Sequence, residues 1–199
     1  MKKMMLTVAL FVATFSAVEA QKINLGKAVS AASKGAQALA FSNEDAKKLS
    51  KESVEWMDKH NPVTDSKSPY TKRLNRLFGK HKSEDGLELN YKVYHVIDIN
   101  AFACADGSVR VFSSLMDLMT DNELLAIIGH EIGHVKNEDT KDAIKSAYLR
   151  AAAQDAAGAA SGAVRALSDS ELGEMANAML DAKHSKKQES QADEYRVCL

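Results

Sequence analysis

His130 and His134 stand four residues apart with Glu131 between them, in the segment His130-Glu131-Ile132-Gly133-His134. The segment continues an apolar run, Leu124-Leu-Ala-Ile-Ile128, that reads as a buried helix. On a helix, side chains four apart share one face a turn from each other. That is the separation at which two imidazoles bind a single zinc ion at about 2.0–2.1 Å. Glu131 is turned roughly 100° from His130, so its carboxylate need not ligate and can reach a metal-bound water as general base. The chemistry implied is metal-assisted hydrolysis. Gly129 and Gly133 each cost about 1 kcal/mol relative to alanine in a helix interior, a loss explained if a second backbone packs close to that face.

Zinc in a hydrolytic site takes three protein ligands and a water, so a third ligand is required. A histidine six residues beyond His134, with a glycine between, would be one solution, but Asn137 and Thr140 occupy those positions. The other is a glutamate on a later helix, and Glu189-Ser-Gln-Ala-Asp193 places two carboxylates four apart on one face. Glu189 would bind the metal, and Asp193 would accept a hydrogen bond from the far nitrogen of a ligating histidine. Spacing alone leaves this open, because the same pair beside Lys183, Lys186 and Lys187 equally describes a solvated face. His184 is the rival ligand. His60, His81 and His95 read as surface or sheet-face residues, the last sharing a strand face with Tyr91, Val93 and Ile97.

The elements that must position these groups are marked by local signals. Ser42 with Asp45 is a capping box for a helix stopped by Asn61-Pro62. Ser68 caps a second helix with Pro69 at its first position, Leu74, Leu77 and Phe78 on its buried face, and Gly79 at its end. Tyr91 to Ile97 reads as a strand, and Asp106-Gly107 divides Asn100–Cys104 from Ser108–Phe112 as a hairpin turn would. Thr120 with Glu123 opens the helix that carries His130 and His134 through about Val135. From Ala143 to Leu167 the chain is rich in small residues, consistent with a closely packed helix or a mobile linker around Gly158 and Gly162. Ser168 with Glu171 opens a final helix that runs past Glu189 towards Tyr195. The fold class expected is α+β, mostly helical, with a small three-stranded sheet or hairpin beside the metal-binding helix.

The 26 Lys and Arg residues against 27 Asp and Glu, with aromatics at 6%, leave no basic field and few stacking platforms, so nucleic acid is excluded as a general partner. Lys2-Lys3, an apolar run from Met4 to Val18, and Val18-Glu19-Ala20 read as a secretory signal peptide over residues 1–20. A mobile N-terminal segment is expected over 21–41. No cysteine follows the expected cleavage point, so no site for N-terminal lipid attachment is foreseen. Cys104 and Cys198 are the only two cysteines; they cannot make a four-cysteine zinc knot, and the sequence leaves open whether they pair.

Taken together, His130-Glu-Ile-Gly-His134, Glu189-Ser-Gln-Ala-Asp193, Asn100-Ala-Phe-Ala103 and the stretch Gly107–Met119 resemble the HtpX and CAAX prenyl protease type of gluzincin, metallopeptidase family forty-eight, and within it the LoiP-like bacterial envelope branch. The resemblance covers roughly Ser42 to Tyr195. It implies a zinc endopeptidase domain over 42–199 with one Zn2+ per chain, His130, His134 and Glu189 as ligands, Glu131 as base and Asp193 behind a ligand. It also implies that Asn100, Ala101, Phe102 and Ala103 line the cleft, where an unfolded or extended polypeptide pairs with the strand edge. The protein is then expected to be exported to the periplasm or the outer-membrane periphery of a Gram-negative bacterium. Family members continue beyond the Glu-x-x-Ala-Asp motif to a His-Pro element, so the chain ending at Leu199 reads as C-terminally truncated. The alternative that follows is a catalytically inert zinc-binding chaperone or adaptor.

Overall fold

The computed structural model describes residues 41–154, 167–182 and 184–196, without the side chains of 151–154 and 196. The expected signal peptide, and all of the expected mobile segment except Phe41, lie outside the described residues. Phe41 itself is buried, its ring 5.9 Å from that of Tyr148. Gly158, Gly162 and Cys198 lie outside them as well.

Four helix starts follow from local chemistry. The Ser42 hydroxyl accepts the Asp45 N–H at 3.1 Å and the Asp45 carboxylate accepts the Ser42 N–H at 2.9 Å, opening α1 (Asn43–His60). Such a cap is worth about 1 kcal/mol. Ser68 and Pro69 open α2 (Pro69–Phe78), whose buried residues are Leu74, Leu77 and Phe78. Thr120 and Glu123 cap α4 (Asp121–Lys136), after a short α3 (Ser113–Leu118). The helix α5 spans Asp139–Gln154, and Ser168 and Glu171 cap α6 (Asp169–Leu180).

Between α2 and α3 lies the sheet. A two-residue hairpin, β1 (Ser83–Glu84) and β2 (Leu87–Glu88), precedes β3 (Asn90–Tyr94), β4 (Ala101–Ala103) and β5 (Ser108–Phe112). The three longer strands pair in the order β3-β5-β4, parallel between β3 and β5 and antiparallel between β4 and β5. Asp106-Gly107 makes the β4–β5 turn. Gly107 is required there, since its φ is +85° and a Cβ would stand 2.0 Å from the Glu88 carbonyl oxygen.

Side chains alternate across this sheet as the pleat dictates. Ala101, Ala103, Val93, Val109 and Val111 join Leu124, Ile128, Ile132 and Val135 of α4 in one core. Phe102, Cys104, Tyr94 and Phe112 join Val54 and Met57 of α1 and Ala176 of α6 in another. The sheet is thus held between α4 on one face and α1 with α6 on the other. Ile128 and Ile132 are wholly buried, each contributing about 1.5–3 kcal/mol, and their burial fixes which way the opposite face of α4 points.

Arg110, also facing α1, is 2% exposed. Its guanidinium donates to both Asp58 oxygens, Nε to Oδ1 at 2.8 Å and Nη2 to Oδ2 at 3.0 Å, and Asp58 also accepts from Lys92 Nζ and Tyr94 Oη at 2.7 Å each. Burial alone would raise the Asp58 carboxyl, but these bonds, Arg110's foremost, outweigh it and hold it at about 2.

Three expectations need correction. The final helix is not continuous: α6 ends at Leu180, the chain turns, and a separate α7 spans Lys186–Arg196. The turn is opened for α7 by Ser185, whose N–H donates to Gln188 Oε1 at 2.8 Å while the Gln188 N–H donates to Ser185 Oγ at 3.4 Å. The break has a packing reason, since α6 lies on α1 and α5 whereas α7 lies on α4. The strand begun at Asn90 stops at Tyr94, leaving His95 exposed beyond it. His81, expected at the surface or on a sheet face, stands outside the strands and is 8% exposed, with Nδ1 2.6 Å from Glu84 Oε1. Among the described residues no helix is long and apolar enough to cross a membrane.

Candidate metal centre

The helices α4 and α7 pack closely. A Cβ built on Gly133 would lie 2.9 Å from Ala192 Cα and 3.0 Å from the Ala192 carbonyl oxygen, so glycine is what lets the two backbones approach. Ala192 is fully buried in the contact. Glu189, in the first turn of α7, is thereby carried to the two histidines of α4.

The imidazoles of His130 and His134 meet edge to face, their planes at 87° and their Nε2 atoms 3.1 Å apart. Glu189 Oε2 lies 3.3 Å from His130 Nε2, and Oε1 lies 3.8 Å from His134 Nε2. Each far nitrogen has a carboxylate partner: His130 Nδ1 is 2.9 Å from Asp193 Oδ1, and His134 Nδ1 is 2.9 Å from Asp139 Oδ2. With the ring protons on Nδ1, facing these carboxylates, both Nε2 atoms are free to act as acceptors within 4.8 Å of each other and of a Glu189 oxygen. Such a convergence of acceptors is unfavourable unless a cation lies between them. Two nitrogens bound to one tetrahedral zinc at about 2.05 Å stand about 3.3 Å apart, close to the 3.1 Å observed. The donor set fits zinc.

The two histidines are held differently. His134 is 3% exposed and Asp139 7%, and Asp139 Oδ1 in turn accepts from Gln188 Nε2 at 2.8 Å. His130 is 21% exposed and its partner Asp193 52%. Asp139 was not foreseen from the sequence. It stands at the first position of α5, beyond a reversal in which Glu138 adopts φ 62°, and only that reversal folds it back onto His134. Gln188 could have been found from the capping pattern Ser185-Lys-Lys-Gln188.

Glu131 lies next to the pair on α4. Burial pushes its carboxyl up to about 7, with Glu189 acting in the same direction and His130 against it. His184, the rival ligand, is not grouped with Glu189. It clusters with His134 and Asp139, its ring lying on that of His134 with centroids 3.9 Å apart and planes at 18°. Burial, with His134 adding to it, lowers the basicity of His184.

Asn100, Ala101, Phe102 and Ala103 fall on and before β4, an edge strand, which packs against α4. The Asn100 carbonyl accepts from Phe112 N–H and Cys104 N–H donates to Ser108, so Ala101 and Ala103 carry the backbone groups of the outer edge. The Asn100 side chain takes the Ala101 N–H at 2.8 Å. The strand is covered rather than open, with Ala101, Phe102 and Ala103 at 7%, 5% and 6% exposure. A small cavity beside it is lined by Phe102, Ala103, Ile144, Met179 and Ala182. A larger hollow, bounded by Asn43, Lys47, Lys136 and Lys141, lies at the C-terminal end of α4, and its lining includes none of His130, Glu131, His134, Asp139 and Glu189.

Residues 72–198 match peptidase family M48. Metalloprotease YcaL of Escherichia coli strain K12 is 39% identical over 178 residues, 89% of this chain and 70% of that protein. Metalloprotease LoiP of the same strain is 38% identical over 200 residues, 100% of this chain and 79% of that protein. Protease HtpX of Actinobacillus pleuropneumoniae is 41% identical over 51 residues, 24% of this chain and 18% of that protein.

Proposed function

The chain belongs to peptidase family M48 and is a metalloprotease, and from that premise we propose that it is a zinc-dependent endopeptidase acting on unfolded or extended polypeptides of the bacterial envelope. The observation that carries the reading is the convergence of His130 Nε2, His134 Nε2 and the Glu189 carboxylate. His130, His134 and Glu189 would hold one zinc ion, which would supply Lewis acidity towards a scissile carbonyl and a bound water. Glu131 accepts the proton of the attacking water and passes it to the leaving amine, so that the C–N bond breaks after the C–O bond forms. Asp193 and Asp139 fix the ring orientations of the two histidines. An extended substrate would pair with the outer edge of β4 through the backbone of Ala101 and Ala103, on either side of Phe102, with the Asn100 side chain giving up the Ala101 N–H it now holds. The signal-peptide pattern of residues 1–20 supports export, with action in the periplasm or at the outer-membrane periphery.

Casein cleavage by the zinc-loaded protein and by Glu131→Gln tests the proposal. The variant is expected to keep its zinc and to lose activity by about 10²–10⁴-fold; equal cleavage by both proteins refutes the mechanism. The burial of β4 supports a second reading, a zinc-holding chaperone or adaptor for unfolded clients. One zinc per chain, suppression of client aggregation and no turnover by the wild type would favour that reading.

A further inference from the structure

His134 is constrained on three sides. Its Nδ1 is bound to Asp139 at 2.9 Å, its neighbour His130 meets it edge-on at 87°, and one of its faces is covered by His184 at 3.9 Å and 18°. The covering group and two of the supports arrive in one short piece of chain. His184 stacks on the ligand, Gln188 donates to Asp139 at 2.8 Å, and Glu189 presents its carboxylate to the same imidazole. The end of the α6–α7 turn and the first turn of α7 therefore deliver, within six residues, one ligand and two devices that fix the ligand opposite it.

The same atoms admit a competing reading, a second cation site made by His134, Asp139 and His184, whose ligand atoms lie within 4.8 Å of one another. Orientation argues against it. A metal lies in the plane of each imidazole that binds it, and two rings stacked at 3.9 Å and 18° offer no point close to both nitrogens that lies in both planes. In addition, His134 Nδ1 is already engaged with Asp139.

We propose that His184 is a positioning residue of the metal centre: its ring lies flat on His134 and holds that ligand's plane by stacking, making no bond to the metal and transferring no proton. The proposal rests on the zinc site set out above. Its mechanism is the ordinary preference of flat rings for contact over an exposed face, here applied to a ligand whose tilt decides where its lone pair points.

The test compares zinc release from the wild type, His184→Ala, His184→Gln and His184→Phe into an excess of a chromogenic chelator, with thermal unfolding of the metal-free proteins as a control for folding. His184→Ala and His184→Gln are expected to release zinc about tenfold faster, in the range found for groups that support a metal ligand. His184→Phe, which keeps a flat ring and has no nitrogen, is expected to restore the wild-type rate. Release from His184→Phe as fast as from His184→Ala would overturn the proposal, because the imidazole nitrogen would then be the active feature. So would wild-type release from His184→Ala, or a second equivalent of zinc that His184→Ala abolishes. A wild type that holds no zinc at all refutes the site itself, and is thereby distinguished from failure of the stack.

Discussion

Replacing Gly133 by alanine tests whether the metal centre depends on the approach of two helix backbones. The added Cβ would lie 2.9 Å from Ala192 Cα, 3.0 Å from the Ala192 carbonyl oxygen and 3.1 Å from Tyr195 Cβ. Ordinary contacts between such atoms begin at about 3.5–4.0 Å, so α7 must retreat from α4 by roughly half an ångström to one ångström. Glu189 lies three residues before Ala192, less than a turn away, and moves with it. Misplacement of about 1 Å in a reacting constellation costs on the order of 10²-fold in rate. Stability is the smaller signal, because overpacking costs about 1–3 kcal/mol while alanine regains about 1 kcal/mol of helix propensity. The expected outcome for Gly133→Ala is therefore a small fall in Tm, of a few degrees at most, with a large loss of zinc affinity and peptidase activity. Adding Ala192→Gly does not rescue it, since the atoms met at that position are backbone. Calorimetric zinc titration and thermal unfolding read both quantities. Wild-type zinc affinity in Gly133→Ala would refute the dependence on close packing.

Two further outcomes follow from buried polar contacts. Asp58 is held at about 2 against an ordinary 3.8, so its network contributes about 2 kcal/mol that is fully present above pH 4 and lost as pH falls from there towards 2; urea denaturation across that window should show the loss in the wild type and not in Asp58→Asn. Asp139→Asn can present an amide N–H to His134 Nδ1 and so move the ring proton to Nε2, the atom that must be free to ligate; zinc affinity by chelator competition should fall by about 10–100-fold, whereas an unchanged affinity would show that Asp139 does not set the tautomer.

What could be read from the chain was what it encodes locally. Ser42, Ser68, Thr120 and Ser168 each cap a helix through groups within three residues of themselves, and Asp106-Gly107 turns a hairpin through its own dihedral angles. The spacing of His130 and His134 fixes a helical face whatever the helix packs on. The break between α6 and α7 was less visible because α7 has almost no apolar stripe, with Ala192 the one residue described as buried on it, and periodicity has little to act on there. Its Ser185–Gln188 cap was nonetheless a local signal. Asp139 and Arg110 were illegible for a different reason. Each is buried only because a distant or folded-back partner receives it: Arg110 by Asp58 across 52 residues of sequence, and Asp139 by His134 through a reversal at Glu138. The edge strand was legible as a strand, but its cover of α5 and α6 side chains is a tertiary fact that no alternation of residues announces.

The central claim is that α4 and α7 together grip one zinc ion. Anomalous diffraction from zinc-loaded crystals at the zinc absorption edge examines it directly. A single strong peak about 2.0–2.2 Å from His130 Nε2, His134 Nε2 and a Glu189 carboxylate oxygen is the result predicted. A peak elsewhere, or one bound by the histidines while Glu189 points away, would contradict it.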